Sequence, residues 1–309
     1  MRIALISSLT SGRGTAHKTA RMARAALHER GVEIATVIET VDSVLLRQQV
    51  RQAMTSTGID AIVAVGGDGL VHQIIQVLAN STMALGIIPA GTGNDMARAY
   101  GIPHDLKKAA ELISLAPVQS VDLGLIDIEA CGEDRREYFA TIACSGFDGN
   151  VLAHLRHIWW ARGALRYTAG VVRQLMGSQI SEGSFVDTRL DGPDGETIHI
   201  TGNKILTAIG ITSSYGGGKR ICPGARMDDG LFEVITVRPT KRRKFLRAFA
   251  RMQKADIRSL NAVESHQAKT VHFTGALPLW ADGELIGEGP MTLRAIPGGL
   301  RIICPPLPH

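Results

Sequence analysis

The sequence predicts an α/β fold in two parts: an N-terminal doubly wound α/β domain over residues 1–120 and a β-rich domain over residues 121–298. With 309 residues, the chain is longer than one domain of ordinary size. In the first part, apolar strands alternate with helical segments, which is typical of a parallel sheet with helices on both faces. In the second part, most segments alternate apolar and polar residues, which favours antiparallel strands. We expect the C-terminal strand, 299–309, to join the first domain.

The elements of the first domain are predicted from periodicity. Apolar runs bounded by turn residues indicate strands, and apolar residues three or four positions apart indicate helices. Ligands of such a sheet bind at the carboxyl ends of the strands. The predicted strands cover residues 3–6, 33–38, 61–66 and 84–88, and the predicted helices cover residues 16–30, 43–56, 70–78 and 106–115.

The second domain is predicted as strands joined by turns that are rich in Gly, Asp and Pro. Two segments interrupt this pattern with helical periodicity, 150–176 and 241–254. The predicted strands cover residues 121–128, 138–144, 185–190, 204–211, 231–237, 270–274 and 291–296, with a last strand at 300–304.

Two glycine-rich turns are the most informative feature of the first domain. Each follows an apolar strand and carries one aspartate, and they read Gly66-Gly67-Asp68-Gly69 and Gly91-Thr92-Gly93-Asn94-Asp95. Glycine lets a backbone approach a phosphate closely, and we expect several of these glycines to have positive φ. The helix that follows Gly69 would direct its N-terminus at the same phosphates.

The two aspartates extend this interpretation to a metal ion. Carboxylates at neighbouring strand ends, beside bare backbone amides, suit a nucleoside triphosphate with a bound cation. A phosphoryl-transfer enzyme is therefore the first hypothesis. A plain turn between a strand and a helix explains one such motif alone, but a second motif some 23 residues later disfavours that explanation.

Two segments of the second domain carry further acidic residues. In Pro278–Gly289, we predict a hairpin turn at Asp282-Gly283-Glu284, where Glu284 is presented as a possible general base. In Gly216–Phe232, Asp228 and Asp229 lie among small residues and suit a hard cation such as Mg²⁺, which prefers oxygen ligands. A turn without chemistry explains either segment when it is taken by itself.

The N-terminal loop offers additional phosphate contacts. Ser11-Gly12-Arg13-Gly14 follows a predicted strand and precedes a helix, so it can add amides and a guanidinium. A dinucleotide fingerprint is a weaker alternative, because His17 stands where the third glycine is required. No Walker A sequence is present, since Arg220 follows Gly218-Lys219 and the upstream glycine is missing.

Composition narrows the functional classes. The 34 Lys and Arg residues exceed the 29 acidic ones, giving a net charge of +5 and a pI near 9.2, which suits an anionic partner without naming one. The dispersed cysteines predict neither a disulfide framework nor a zinc site and favour a reducing cytoplasm. We expect no signal peptide and no membrane span. The cysteines are Cys131, Cys144, Cys222 and Cys304.

One predicted helix suggests contact with a membrane surface. In the segment 150–176, Trp159 and Trp160 are interleaved with four arginines, which is typical of a helix that lies on anionic lipid. The basic run in 241–254 would support the same contact. A helix that packs on its own sheet, with arginines in solvent, explains both segments equally well.

Taken together, the motifs resemble the diacylglycerol kinase catalytic-domain family, especially its soluble bacterial lipid kinases. The motifs are GGDG at 66–69, GTGND at 91–95, GGGKRICPGARMDDGLFEV at 216–234 and DGE at 282–284, and their order and spacing match over essentially the whole chain. Sphingosine and ceramide kinases share this architecture, and NAD kinases and phosphofructokinases share the GGDG element.

The resemblance implies a nucleotide-binding α/β domain, a C-terminal β-sandwich and an active site in the cleft between them. It implies ATP-dependent, Mg²⁺-dependent phosphorylation of diacylglycerol or a related lipid at a membrane surface. Glu284 inherits the role of base, and Asp68 is the second catalytic candidate. The implied ATP contacts are Ser11, Gly12, Thr40, Gly66, Gly67, Asp68, Gly69, His72, Gln73, Gly91 and Thr92, and the implied metal ligands are Asp95, Asp229, Arg226 and Leu231, the last two through their carbonyls.

The chain departs from the family pattern at two places. SLTSG stands where NPxSG is usual, and GGDG is followed by Leu70 and then His72-Gln73, as in sphingosine and ceramide kinases. A sphingoid-base or ceramide-type lipid kinase is therefore an alternative, as is an NAD kinase-like enzyme with a soluble acceptor. A nucleotide-binding regulatory protein without catalysis is the alternative outside the enzymes. We expect no nucleic-acid partner, and the sequence leaves a homodimer undetermined.

Overall fold

The computed structural model describes residues 1–8, 16–130, 133–146, 184–215, 217–241, 256–274 and 278–307. The chain divides into two units, which are Met1–Leu123 with Gly298–His309 (unit 1) and Gly124–Pro297 (unit 2). The predicted helix 150–176, and 241–254 beyond its first residue, lie outside the described residues.

Unit 1 is an α/β unit built on a parallel sheet. Its strands run in the order β2-β1-β3-β4, and the C-terminal end of β16 pairs in parallel with β4 at Ala84 and Leu85. The elements are β1 (Arg2–Ser8), α1 (Ala16–His28), β2 (Glu33–Thr40), α2 (Ser43–Thr55), β3 (Ala61–Gly66), α3 (Asp68–Leu78), β4 (Ala84–Pro89), α4 (Asp95–Ala99) and α5 (Leu106–Leu115), with β16 at Met291–Ile303.

The central strands of unit 1 are apolar at every position because helices cover the sheet. All six residues of β3 and all six of β4 are buried. Helix α1 packs with α5, and α2 packs with α3. Capping carboxylates begin two of these helices. Asp42 accepts from the Val44 and Leu45 amides at 2.8 and 2.9 Å, and Asp105 accepts from the Lys108 amide at 2.9 Å at the start of α5.

The strand order identifies where a ligand should bind. The chain passes from β1 outward to β2 and then returns to β3 on the other side of β1, so the topological switch point lies between β1 and β3. In open α/β sheets, ligands bind beyond the carboxyl ends of the strands at this point. Strand β3 ends at Gly66, where the first glycine loop begins.

Unit 2 consists of antiparallel strands. One sheet has six strands in the order β12-β11-β10-β7-β14-β15, and further strands pair as β16-β13-β8-β9, with β5 paired to β6. The elements are β5 (Val118–Ala130, which begins in unit 1), β6 (Glu133–Phe139), β7 (Ile142–Gly146), β8 (Ser184–Asp191), β9 (Thr197–Lys204), β10 (Leu206–Gly210), β11 (Phe232–Val237), β12 (Val263–Ala268), β13 (Thr270–Phe273), β14 (Leu279–Ala281) and β15 (Glu284–Gly287).

A sandwich core holds unit 2 together. One apolar cluster joins Val186, Leu190 and Val271 on one sheet to Ile209 and Val234 on the other. Phe139 and Phe232 stack within it, with ring centroids 5.8 Å apart. A second cluster covers the opposite face of the six-stranded sheet and includes loop residues such as Cys222. The two-domain class, a parallel α/β part followed by an antiparallel part, is confirmed.

Two predicted strands were wrong because each is interrupted. The predicted strand 138–144 is β6 and β7, separated at Ala140 and Thr141, whose amides donate to the Asp282 carboxylate. The predicted strand 204–211 separates at Ile205, whose amide donates to the Val237 carbonyl. These partners are distant in sequence, so local periodicity does not reveal the breaks.

At the C-terminal end, two predicted strands are one continuous strand. We predicted separate strands at 291–296 and 300–304, yet Met291–Ile303 is one strand, β16. Its centre contains Pro297, which has no amide hydrogen, and Gly298, whose amide donates to the Asp122 carboxylate at 2.8 Å. The prediction also missed β9 and β12, whose residues are largely polar and exposed on one face.

Among the described residues, no helix has both the length and the apolar character needed to cross a bilayer.

We predict that Gly124→Ala destabilises unit 2. An added Cβ would lie 1.9 Å from the ring of Phe139, its partner on the neighbouring strand, so the buried ring would have to move. Overpacking of this kind costs about 1–3 kcal/mol. The measurement is urea unfolding followed by circular dichroism. The matched control is Gly287→Ala, where an added Cβ meets nothing closer than 3.5 Å and the expected change is below about 0.5 kcal/mol. Equal midpoints for the two variants would contradict the prediction.

Candidate active site

The two glycine loops of unit 1 lie against each other. A Cβ added at Gly91 would lie 2.4 Å from the Gly67 Cα, and one added at Gly67 would lie 2.9 Å from the Gly91 Cα. The Ala90 amide also donates to the Gly66 carbonyl at 2.8 Å. Neither backbone can give way to a side chain, so both positions require glycine. The loops therefore form one surface at the carboxyl ends of β3 and β4.

The expectation of positive φ at these glycines was wrong. None of Gly66, Gly67, Gly69, Gly91 and Gly93, all within the described part of the chain, has a positive φ. Close approach of the two loops explains the glycines instead.

The left-handed conformation in this region belongs to Asn94. Its φ is 51° and its ψ is 44°. Its Oδ1 accepts from the Gly91 amide at 2.9 Å, and its Nδ2 donates to the Gly91 carbonyl at 3.0 Å. Asparagine tolerates this conformation better than most residues. The side chain of Asn94 thus closes the second loop on itself and holds Gly91 against Gly67.

The structure brings both predicted carboxylates to these loops. Asp68 opens α3, and its Oδ1 accepts from the Met96 amide at 3.3 Å, which links the first loop to the start of α4. A Cβ added at Gly93 would lie 2.6 Å from Asp68 Oδ2 and 3.7 Å from Asp95 Oδ2, so both carboxylates flank Gly93. Asp95 also pairs with Arg98 at 2.6 Å. Two carboxylates, which are ligands of the type that a hard cation prefers, therefore lie at this edge of the sheet beside the loops.

The remaining residues of the first motif are placed by α3. His72 is 3% exposed and lies one helical turn after Asp68, where its ring contacts Gln76 at 3.4 Å. Gln73 is partly exposed, and its Oε1 accepts from the Arg47 side chain at 2.8 Å. Arg47 thereby ties α2 to α3 close to the first loop.

The other predicted nucleotide contacts lie near the neighbouring strands. Thr40 ends β2 and pairs with the backbone of Ser8, and its hydroxyl accepts from the Asp42 amide at 3.1 Å. Thr92 lies between Gly91 and Gly93 in the second loop. Ser11 and Gly12 lie outside the described residues.

In unit 2, Glu284 follows a two-residue hairpin turn. Asp282 and Gly283 have φ of 50° and 86°, the pattern of a tight turn with two left-handed residues, and they join β14 to β15. Glu284 is the first residue of β15 and is exposed. The predicted hairpin turn at these residues is confirmed.

Asp282 holds this hairpin in place. Its carboxylate accepts from the Ala140 amide at 3.0 Å, the Thr141 amide at 2.9 Å and the Thr141 hydroxyl at 2.5 Å. Several donors on one carboxylate form strong hydrogen bonds. The hairpin that carries Glu284 is therefore tied to the break between β6 and β7.

The candidate metal loop of unit 2 lies between β10 and β11. It contains Arg226, Asp229 and Leu231, and Asp229 Oδ1 accepts from the Leu231 amide at 3.0 Å. No group of three His, Cys, Asp or Glu side chains suited to a metal occurs in the described part of the chain. Backbone carbonyls are oxygen ligands as well, and one carboxylate with two carbonyls is an oxygen donor set that fits Mg²⁺.

Sequence reasoning missed several residues that shape this region. The sequence alone indicates no role for Asn94, Arg98 or Arg47, and for Asp282 it indicates only a turn. The signal for Asn94 was present, because asparagine next to glycine in a turn favours the left-handed region. The partners of Asp282 and Arg47 are distant in sequence, so no local pattern indicates them.

Two family models match the chain. The diacylglycerol kinase catalytic domain matches residues 2–126, and the YegS C-terminal NAD kinase beta sandwich-like domain matches residues 140–304. Together with the packed glycine loops and the antiparallel sandwich, these matches define the class of the protein as a lipid kinase.

The comparison with curated proteins is more specific. A diacylglycerol kinase of Mycobacterium tuberculosis is 33% identical over 308 residues, covering 98% of this chain and 95% of the relative. A YegS-like lipid kinase of Stenotrophomonas maltophilia is 29% identical over 259 residues, covering 80% of each chain. The chain belongs to the diacylglycerol kinase catalytic-domain family.

Solved structures show the same fold. A diacylglycerol kinase from Bacillus anthracis has a TM-score of 0.75 at 21% identity, covering 99% of this chain and 97% of that one. Yeast NADH kinase in complex with NADH has a TM-score of 0.52 at 10% identity, covering 98% and 82%. At these identities the likeness concerns the fold alone.

We predict that Asn94 controls the rigidity of the second glycine loop. Asn94→Gly keeps the left-handed backbone accessible but removes both side-chain bonds to Gly91. The Gly91 amide should then exchange with solvent deuterium faster by about fivefold, since losing one hydrogen bond changes stability by roughly 1 kcal/mol. The measurement is hydrogen exchange across residues 88–96.

Asn80→Gly serves as the control, because Asn80 also has a positive φ but lies after α3, away from the loop. Unchanged protection of Gly91 in the Asn94 variant would show that the loop is held by other contacts.

Proposed function

We propose that the chain transfers the γ-phosphoryl group of ATP to the hydroxyl of a lipid, with diacylglycerol as the first substrate to test. The observation that carries this proposal is the pair of packed glycine loops flanked by Asp68 and Asp95. The 33% identical relative that is named a diacylglycerol kinase supports the choice of acceptor.

We assign binding of the nucleotide phosphates to unit 1. Backbone amides of the first glycine loop, of the second loop beyond Gly91 and of the first turn of α3 would face the phosphates, because glycine leaves them uncovered. The Gly91 amide itself is bonded to Asn94. Gly66, Gly67, Gly69, Gly91 and Thr92 are the contacts we propose, with Thr40 and Gln73 at the edges. Stabilisation of phosphate charge is the main task of a protein in phosphoryl transfer.

Magnesium is proposed at two places. Asp68 and Asp95 would hold an ion at the phosphates, and Asp229, with the carbonyls of Arg226 and Leu231, would hold a structural ion in unit 2. When bound, Mg²⁺ neutralises the charge of the phosphate oxygens. Arg98, which pairs with Asp95, would keep that carboxylate oriented before the ion binds.

Glu284 is proposed as the base. The lipid hydroxyl oxygen forms a bond to the γ-phosphorus as the bond from that phosphorus to the bridging β–γ oxygen breaks, and ADP leaves. The hydroxyl proton passes to the Glu284 carboxylate. Asp282 acts as a positioning residue, because its carboxylate fixes the turn that presents Glu284. The nucleotide residues belong to unit 1 and Glu284 to unit 2, so the reaction needs both units.

The acceptor also determines where the protein acts. A lipid alcohol lies in a bilayer, so we propose peripheral contact of a cytoplasmic protein with an anionic membrane surface. The net charge of +5 supports that contact. A soluble-acceptor kinase is not favoured, because the match over residues 2–126 is to a diacylglycerol kinase catalytic domain.

The proposed function is tested by incubating the protein with γ-labelled ATP, Mg²⁺ and mixed micelles that contain one lipid at a time. We expect label in phosphatidic acid when the micelles contain diacylglycerol. Label in phosphorylated sphingosine or ceramide would show that one of those lipids, and not diacylglycerol, is the acceptor. Label in NADP with NAD as acceptor, and none in any lipid, would reject it.

Glu284→Gln should abolish lipid phosphorylation while nucleotide binding stays nearly unchanged, since the amide keeps the shape but cannot accept the proton. We expect at least a hundredfold loss of kcat, the lower range for removing a general base. The measurements are steady-state turnover and ATP affinity by calorimetry. Glu288→Gln, an exposed glutamate just beyond β15, should behave as the unchanged protein does. Near-normal turnover of the Glu284 variant would remove its role as base.

A further inference from the structure

A buried carboxylate lies beside the candidate metal loop and has no part in the reaction proposed above. Glu233 is the second residue of β11, and only 3% of it is exposed. It follows Asp229 by four positions and Leu231 by two, so it lies at the point where the loop enters the sheet. An ionised carboxylate that is removed from water needs partners, because its desolvation is costly.

The partners of Glu233 come from three separate segments. Its Oε2 accepts from the Gly224 amide at 2.6 Å, and its Oε1 accepts from the Ser265 hydroxyl at 2.9 Å. The Arg258 guanidinium lies 3.6 Å from the same Oε1. Ser265 belongs to the neighbouring strand β12, and Arg258 to a single 3-10 turn at Ile257–Ser259.

The bond to Gly224 closes the metal loop. It joins residues 224 and 233, and the three candidate ligands, Arg226, Asp229 and Leu231, lie between these two points. The entrance to the loop is fixed as well, since the Cys222 amide donates to the Ser213 carbonyl and the Ala225 amide to the Cys222 carbonyl, both at 3.1 Å. The path of the backbone that carries the two ligand carbonyls therefore depends on the Glu233 carboxylate.

Glu233 and Arg258 leave no room for a side chain at Gly224. A Cβ added there would lie 2.9 Å from Glu233 Oε1 and 2.9 Å from an Arg258 nitrogen. Any side chain at residue 224 would displace the carboxylate, the guanidinium or both. Gly224 is thus required by Glu233 and Arg258, and not by a left-handed backbone conformation.

Arg258 is itself held in place. Its guanidinium donates to Asp256 Oδ2 at 2.5 and 2.9 Å and to Asp256 Oδ1 at 3.0 Å, so moving it away from Glu233 would break these bonds. The hydrogen bond from Arg258 lowers the pKa of Asp256, which keeps that carboxylate charged. The contacts among Asp256, Arg258, Glu233 and Gly224 connect the 3-10 turn to the loop.

We propose that Glu233 is a positioning residue that holds the loop of Arg226, Asp229 and Leu231 in its Mg²⁺-binding conformation before the ion binds. This inference rests on the proposed metal site of unit 2. Partners that orient ligands typically change metal affinity by 10–100-fold when they are removed. The carboxylate contacts no ligand directly in the proposal, and it acts by fixing backbone carbonyls.

The test uses Glu233→Gln, which keeps the shape of the side chain and removes its charge. Mg²⁺ is titrated into the full chain without nucleotide and followed by calorimetry, and we expect the Kd to rise at least tenfold. In the metal-free protein, the amides of residues 222–231 should exchange with deuterium faster, with Gly224 changed most. A purely structural role would leave the Mg²⁺ affinity of the folded variant unchanged.

Glu264→Gln is the matched control. Glu264 lies on β12 and pairs with the buried Lys204 at 3.3 Å, so this variant also removes a carboxylate from an ion pair in unit 2. Burial alone would raise the pKa of Glu264, but the hydrogen bond and charge of Lys204 outweigh it and the pKa is lowered. We expect unchanged Mg²⁺ affinity in this variant. Equal losses in both variants would overturn the proposal in favour of general destabilisation.

Two further variants distinguish failure of the proposed metal site from failure of the positioning role of Glu233. Gly224→Ala retains the charge but displaces it, and it should reproduce the loss of affinity if Glu233→Gln does not fold. Asp229→Asn removes a proposed ligand. If Asp229→Asn leaves Mg²⁺ binding unchanged, the metal site itself is rejected, whatever Glu233 does. If Asp229→Asn weakens binding and neither Glu233→Gln nor Gly224→Ala does, the metal site stands and the positioning role of Glu233 is rejected.

Discussion

The contact between the backbones of Gly67 and Gly91 is the constraint on which the candidate active site depends. Two parallel strands deliver their loops to the same edge, and only the absence of both side chains allows the loops to meet. Asp68 and Asp95 reach the same edge because each begins the helix that follows its loop. The position of the acidic groups is therefore a consequence of backbone packing. Asn94 in the second loop and Arg98 in α4 add side-chain bonds that hold Gly91 and Asp95.

Acidic residues divide their tasks in unit 2. Asp282 and Glu233 are each engaged by several donors from other segments, and both fasten a loop to the sheet. Glu284 has an exposed side chain at the start of β15. The carboxylates of Asp282 and Glu233 are occupied by the segments that they hold, whereas the exposed side chain of Glu284 is accessible to a substrate. Acidic residues of unit 2 therefore have two kinds of role: Asp282 and Glu233 hold loops on the sheet, and Glu284 is the candidate base.

Much of this arrangement follows from local sequence, and the exceptions have a physical reason. Strands β3 and β4 are buried at every position, so their apolar runs alone indicate a parallel sheet. The turn at Asp282-Gly283 is equally clear from its residue types. The break between β6 and β7 is not, because it depends on a carboxylate some 140 positions away. The glycines of the two loops were recognised as special for a partly wrong reason, since the sequence does not show that their nearest neighbour is each other.

The position of β16 in the sequence affects how unit 1 folds during synthesis. Unit 1 contains residues from both ends of the chain, and the pairing of β4 with Arg301 and Ile302 requires a segment that the ribosome delivers after all of unit 2. Until then one edge of β4 is unpaired, and an open edge can recruit another strand. The glycine loops thus belong to an incomplete sheet until Arg301 and Ile302 have been synthesised.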